Sequence, residues 1–157
     1  MFMKTLAISV ALTALGSVAA MAGQCPALGS TGSVAEIDGA QLNRGISAEV
    51  IAGTQIDAWD CDDFYMVGYV NVAPTLTLRL TNASNRGFEV VAESQCDPTL
   101  LIELPTGQIA FDDDNSAIGR GLDPAIPLPA MGDGTYNIWV GSYRDSYCLT
   151  TLRIRNR

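Results

Sequence analysis

Between residues 23 and 157 no stretch keeps a helical period over three turns, whereas strict alternation recurs in short runs. That contrast confines the chain to β folds. In the run L-T-L-R-L-T at 76–81 the leucines share one face, and Thr77, Arg79 and Thr81 share the other. Pro74 precedes the run and the turn cluster N-A-S-N-R-G at 82–87 follows it. Phe88, Val90 and Ala92 then alternate with Glu89, Val91 and Glu93, so the two runs are expected to pair as an antiparallel hairpin with one solvated face. Asn82-Ala83-Ser84 between them matches a glycosylation sequon, which marks an exposed loop.

Further strands follow from the same logic. Residues 64–72 are rich in aromatic and β-branched side chains and read as a buried or half-buried strand. Residues 99–104 form a strand, Pro105-Thr106-Gly107 a turn, and 108–111 the returning partner; 125–128 is a short strand-like piece. Residues 136–143 give the strongest strand signal, and 149–155 close the chain with Leu152 and Ile154 opposite Arg153 and Arg155. Upstream, Gly29, Gly32, Gly39, Gly45 and Gly53 punctuate a segment in which 34–37 and 48–51 read equally well as strands or brief turns. The fold class is therefore all-β: an antiparallel, jelly-roll-like β-sandwich in which 23–56 joins 57–157 in one domain.

Residues 1–22 stand outside that fold. Lys4, the apolar and small-residue run 6–18 and Ala20-Met21-Ala22 are the three parts of a signal peptide. The run is too short for a lasting anchor, so no membrane association is expected after cleavage. The expected location is periplasmic or secreted. All four cysteines, Cys25, Cys61, Cys96 and Cys148, follow the leader, and an even count in an exported chain argues for two disulfides. Three pairings are open; shorter loops slightly favour Cys25–Cys61 with Cys96–Cys148. Zinc does not fit, because the chain has neither a C-x-x-C spacing nor a histidine.

The net charge is −8 with no histidine, and loss of Lys4 with the leader makes it more negative. Such a chain repels phosphate backbones, which excludes nucleic acid as a natural partner. Arg144, Arg153, Arg155 and Arg157 crowd the C-terminal end. They form either a solvated strand face or an edge that binds carboxylates or polysaccharide.

The acids concentrate at D-D-D-N, residues 112–115. With the 99–111 hairpin turning about Thr106, residues whose numbers sum to about 212 face one another. Asp114 then lies opposite Pro98, and Asp97 joins Asp112, Asp113, Asp114 and Asn115 at one end. Crowded carboxylates repel, and a hard cation relieves them. Asp112, Asp114 and Ser116 occupy positions 1, 3 and 5 of a twelve-residue calcium loop that ends at Asp123, although Ala117 stands where such loops require glycine. The expected metal set is Asp97, Asp112, Asp113, Asp114, Asn115 and Asp123, with calcium as the ion; the competing reading is a solvated turn.

The missing histidines remove Ser-His-Asp and Cys-His catalysis, and G-x-S-x-G and phosphate-cradling loops are absent too. A carboxylate-dependent glycoside hydrolase built on Asp97 and Asp113 is the remaining enzymatic reading, but neither acid has a visible apolar setting to hold a proton. On the 136–143 strand, Tyr136, Ile138 and Val140 point one way, and Asn137, Trp139 and Tyr143 the other. Trp139 and Tyr143 are thus the candidate ligand-stacking pair, against the alternative of core packing beneath a covering loop.

The run D-P-T-L-L-I-x-x-P-T-G-x-I-x-F-D-D-D from Asp97 to Asp114, followed by G-T-Y-N-I-W-V-G-S-Y, resembles the bacterial pre-peptidase C-terminal domain. G-Y-V-x-x-A-P-x-L-x-L, from Gly68 to Leu78, is similar to that domain's opening strands. The resemblance spans about residues 57–155. It implies a jelly-roll-like sandwich and a non-catalytic module for secretion, localisation or attachment, with Asp97, Asp112, Asp113 and Asp114 at the family's acidic positions. Here the module is expected as a stand-alone secreted form, its partner an exported protein or an extracellular polymer. An accessory subunit of an exported hydrolase is the alternative.

Overall fold

The computed structural model describes residues 25–156 apart from 54, 62–65, 85, 116–120, 131 and 145–146. The leader expected over 1–22 lies outside the described residues. Two sheets account for the fold. The first contains β1 (Ser33–Asp38), β3 (Ile56–Asp57), β4 (Tyr69–Val70), β5 (Leu76–Thr81), β7 (Pro98–Glu103), β8 (Ile109–Asp112) and β10 (Gly134–Ser142). The second runs in the order β2 (Ile46–Ile51), β11 (Leu149–Asn156), β6 (Phe88–Ser94) and β9 (Ala125–Leu128). All strand pairs are antiparallel except β1 with β5, where Ser33 lies opposite Leu76. Residues 34–37 and 48–51, ambiguous in sequence, are both strands, one at an edge of each sheet.

Central to the first sheet is β10. Its first half pairs with β5, its second half with β7, and Ser142 reaches Tyr69 of β4. Tyr136, Ile138 and Val140 turn inward with Leu78, Leu80, Leu100 and Ile102, meeting Phe88, Val90, Ala92, Leu152 and Ile154 of the second sheet. Each Leu, Ile, Val or Phe among them contributes about 1.5–3 kcal/mol when fully buried. Tyr136 packs edge-on against Phe88 with ring centroids 5.7 Å apart, and its hydroxyl donates to the Gly132 carbonyl at 2.8 Å. Burial, and then the charge of Asp133, push this phenol up to about 12.

A second apolar cluster lies on the outer face of the first sheet. Leu101 and Trp139 are covered there by Ile56, Ala58, Cys61, Met66 and Val70. Cys25–Cys61 belongs to this cover, whereas Cys96–Cys148 sits at the main core. The pairing is the one that loop closure favours. Disulfides of this kind belong to oxidising compartments, and no helix among the described residues is long and apolar enough to cross a membrane.

Three expectations are corrected. The runs at 76–81 and 88–93 do not form a hairpin: β5 lies in the first sheet and β6 in the second, and the intervening segment passes between sheets. Asn82 and Ser84 there adopt left-handed backbone (φ 54° and 53°), while the Ala83 N–H donates to Asp133 Oδ1 at 2.8 Å. The face expected to be solvated is only partly so: Thr77, Glu89 and Val91 are buried, while Arg79 and Thr81 are exposed. The stretch 64–72 supplies only the two-residue β4, with residues 64 and 65 outside the described set. Gly68 at φ +86°, pressed against the Ser142 carbonyl, interrupts the extended backbone, and the segment serves as cover instead.

Candidate functional site

The β7–β8 hairpin forms in the register its turn dictates. Gly107 takes φ +80° and its N–H donates to the Leu104 carbonyl at 2.8 Å, which sets Leu100 opposite Asp112. The numbers of these partners sum to 212, as the sequence requires. Asp113, Asp114 and Asn115 follow directly and share the end of the sandwich with Asp97, whose carbonyl accepts from the Tyr143 N–H at 2.7 Å.

Chemically, these acids divide into two groups. Asp112 Oδ2 accepts from the Ala125 N–H at 2.7 Å, and the Asn115 amide donates to the Ala125 carbonyl at 2.9 Å. The Asn115 N–H donates to the Asp123 carbonyl at 3.2 Å, and buried Asp123 accepts the Ser94 N–H through Oδ1 at 3.1 Å. Asp112, Asn115 and Asp123 therefore clasp the end of β8, in one sheet, to β9 and β6 in the other. Asp97, Asp113 and Asp114 form the second group and act through charge. Burial raises the Asp97 carboxyl above its ordinary range, the negative charges of Asp114 and Asp113 raise it further, and Arg144 opposes them. Asp112 is raised as well, by burial first, with its bond from Ala125 N–H the largest opposing effect.

Among the described residues no three carboxylates converge closely enough to hold a metal ion. Part of the expected calcium loop, 116–120, lies outside those residues.

The proposed stacking pair requires correction. Trp139 is fully buried, and its Nε1–H donates to the Val72 carbonyl at 3.3 Å beneath the disulfide-tethered cover, so it has no free face. Tyr143, just beyond the end of β10, is 43% exposed. The core-packing alternative describes Trp139.

Sequence reasoning missed other polar and exposed groups. Glu103 accepts the Gly29 N–H through both carboxylate oxygens, at 3.1 and 2.9 Å, and the Asn137 amide at 2.9 Å. Asn137 in turn accepts from buried Thr77, whose hydroxyl receives the Gly32 N–H. This network straps the N-terminal segment across the first sheet. The signal available for it was a lone acid ending the apolar run T-L-L-I-E. Trp59, Tyr147 and Leu149 are among the most exposed large side chains, and no periodicity marks them.

What the fold and the site define is a disulfide-braced β-sandwich whose acidic loop clasps its two sheets together. No protein-family model and no curated protein matches the sequence. Among solved structures the chain is similar to the pre-peptidase C-terminal domain of a collagenase from Bacillus anthracis, determined at 1.0 Å. The TM-score is 0.44 at 12% identity, and the alignment covers 80% of this chain and 96% of that one. That domain is of the family whose motifs the sequence resembles.

Proposed function

We propose that this chain is an exported β-sandwich module that binds an exported protein or an extracellular polymer and performs no chemistry of its own. The observation that carries the reading is the exposed apolar end of the sandwich. Ile51 and Leu149 are cross-strand partners there, 51% and 59% exposed, and Tyr147 is 83% exposed two residues away. Tyr143 flanks the same connection. Exposed apolar clusters of this sort on a soluble fold mark interaction surfaces, and Tyr contributes contact area at low entropic cost. The clasp commits Asp112 and Asp123 to backbone N–H groups, whereas Asp97 and Asp113, the acids of the hydrolase alternative, lie outside it. Calcium is proposed only as a counter-charge near the remaining acids, Asp97, Asp113 and Asp114, since these three carboxylates do not converge on one ion.

The test is a retention screen of the chain without its leader against matrix polymers and exported proteins, with Tyr147→Ala and Leu149→Ser as variants. At least one polymer or protein is expected to be retained, at least about tenfold less well by the variants, with unchanged melting temperatures. Retention of a protein alone makes the chain an accessory subunit of an exported partner. Failure to retain anything, or retention indifferent to both variants, removes the proposal.

A further inference from the structure

We infer that the cavity between the 3-10 turn Gln41–Arg44 and β11 binds the carboxylate of a sugar acid. This rests on the module reading and names a ligand class for it. The cavity is about 370 Å³, within the range of small-ligand sites. Arg44, Arg153 and Arg155 line it together. Alternation along β11 turns Leu152 and Ile154 into the core and leaves both its arginines on the outer face.

Each β11 arginine is held from one side only. Arg153 Nε donates to Glu93 at 2.7 Å and Arg155 Nε to Glu89 at 2.5 Å, both acids lying on β6. The terminal NH₂ groups of the two guanidinium ions remain as donors, and no bond from them to a described residue is made. Arg44, across the cavity, has no acidic partner among the described residues. Two glutamates thus balance two of three arginines, and the cavity keeps one uncompensated positive charge on a chain of net charge −8. The rest of such a molecule repels a densely charged polyanion more strongly than a singly charged group. Guanidinium forks match a planar carboxylate.

The remaining wall favours a sugar as its carrier. The side-chain Oδ1 of Asn43 is already fixed by donors from Arg86 at 2.9 Å and Asn156 at 2.5 Å, so the polar side is preorganised before any ligand arrives. Half-buried Ile46 supplies an apolar side. A pyranose ring offers a hydroxyl rim and an apolar face to such a surface.

The experiment titrates the chain without its leader with glucuronate, glucose and acetate, followed by backbone chemical shifts. Glucuronate is expected to move resonances around Arg44 and β11, with affinity that falls as salt rises and drops at least about tenfold in Arg44→Gln, the loss of one charge-assisted bond. Glucose and acetate should each bind at least about tenfold more weakly. An unchanged melting temperature shows that Arg44→Gln still folds. Glucuronate no tighter than glucose overturns the carboxylate role, acetate as tight as glucuronate overturns the sugar, and an indifferent Arg44→Gln overturns the site. If the screen retains a neutral polymer through Tyr147 while glucuronate fails, this assignment falls and the module reading stands.

Discussion

Asp97 and Asp112 belong to one acidic group yet have opposite uses. Asp112 is a backbone acceptor, so Asp112→Ala leaves the Ala125 N–H unmatched and should cost about 1–3 kcal/mol despite removing a charge. Asp97 has Asp113 and Asp114 as charged neighbours and Arg144 in opposition. Its carboxyl is raised in the folded state, so above the unfolded value of 3.8 the folded chain holds a proton that the unfolded chain has lost. Stability therefore falls as pH rises from there through the folded value, and at neutral pH Asp97 subtracts from it. Asp97→Asn should raise the melting temperature at pH 7, with a stabilisation of no more than about 1 kcal/mol because salt and water screen the site. The gain should vanish below pH 3.8. Millimolar calcium should give the native chain a similar rise that chelator reverses, and Asp97→Asn should blunt it. Superimposable melting curves with and without calcium would reduce these acids to the clasp and its neighbours. Their gathering was legible in sequence, because a tight Pro-Thr-Gly turn fixes register by counting. The clasp was not, since nothing in D-D-D-N says which backbone N–H lies across the gap between sheets.

Strands were easier to read than their partners. Alternation in 76–81 reports that one face is buried, and Leu78 and Leu80 are buried as it requires. It is silent on which strand lies alongside, and the short turn at 82–87 suits a sheet-to-sheet crossing as well as a hairpin. The same silence hid the parallel edge pairing of β1 and the cover over Trp139. The central strand β10 shows what such a crowded element demands. A Cβ at Gly141 would lie 2.4 Å from Thr99 Oγ1, 2.5 Å from the Tyr69 carbonyl and 2.7 Å from Val70, where β4 and β7 both press on the strand. Two of these three contacts come from the cover and one from β7, so neither side has room to yield. Gly141→Ala should cost about 1–3 kcal/mol or more by overpacking. Thermal unfolding of this variant at a native-like midpoint would show that β4 can lift away at little cost.

At the scale of the whole molecule, two disulfides serve two separate apolar clusters, and their removal should not be equivalent. They close loops of similar length, 36 and 52 residues apart in sequence, so chain entropy alone assigns each about 4 kcal/mol. The difference lies in what each holds. Cys96 and Cys148 pack on the main core, so losing their bond loosens the sandwich as one unit. Cys25–Cys61 holds the cover over Leu101 and Trp139, a layer built from a 3-10 turn, two-residue strands and the strap to Glu103. Such a layer can open while the two sheets stay paired. Trp139 reports the event, because it is fully buried whereas Trp59 is already 67% exposed. In Cys25→Ala/Cys61→Ala, tryptophan emission should shift to the red at a lower temperature than the loss of β-sheet circular dichroism. In Cys96→Ala/Cys148→Ala the two signals should move together at a lowered midpoint. Coincident transitions in both variants would mean that the cover and the core form one cooperative unit, with Trp139 buried as firmly as Ile138.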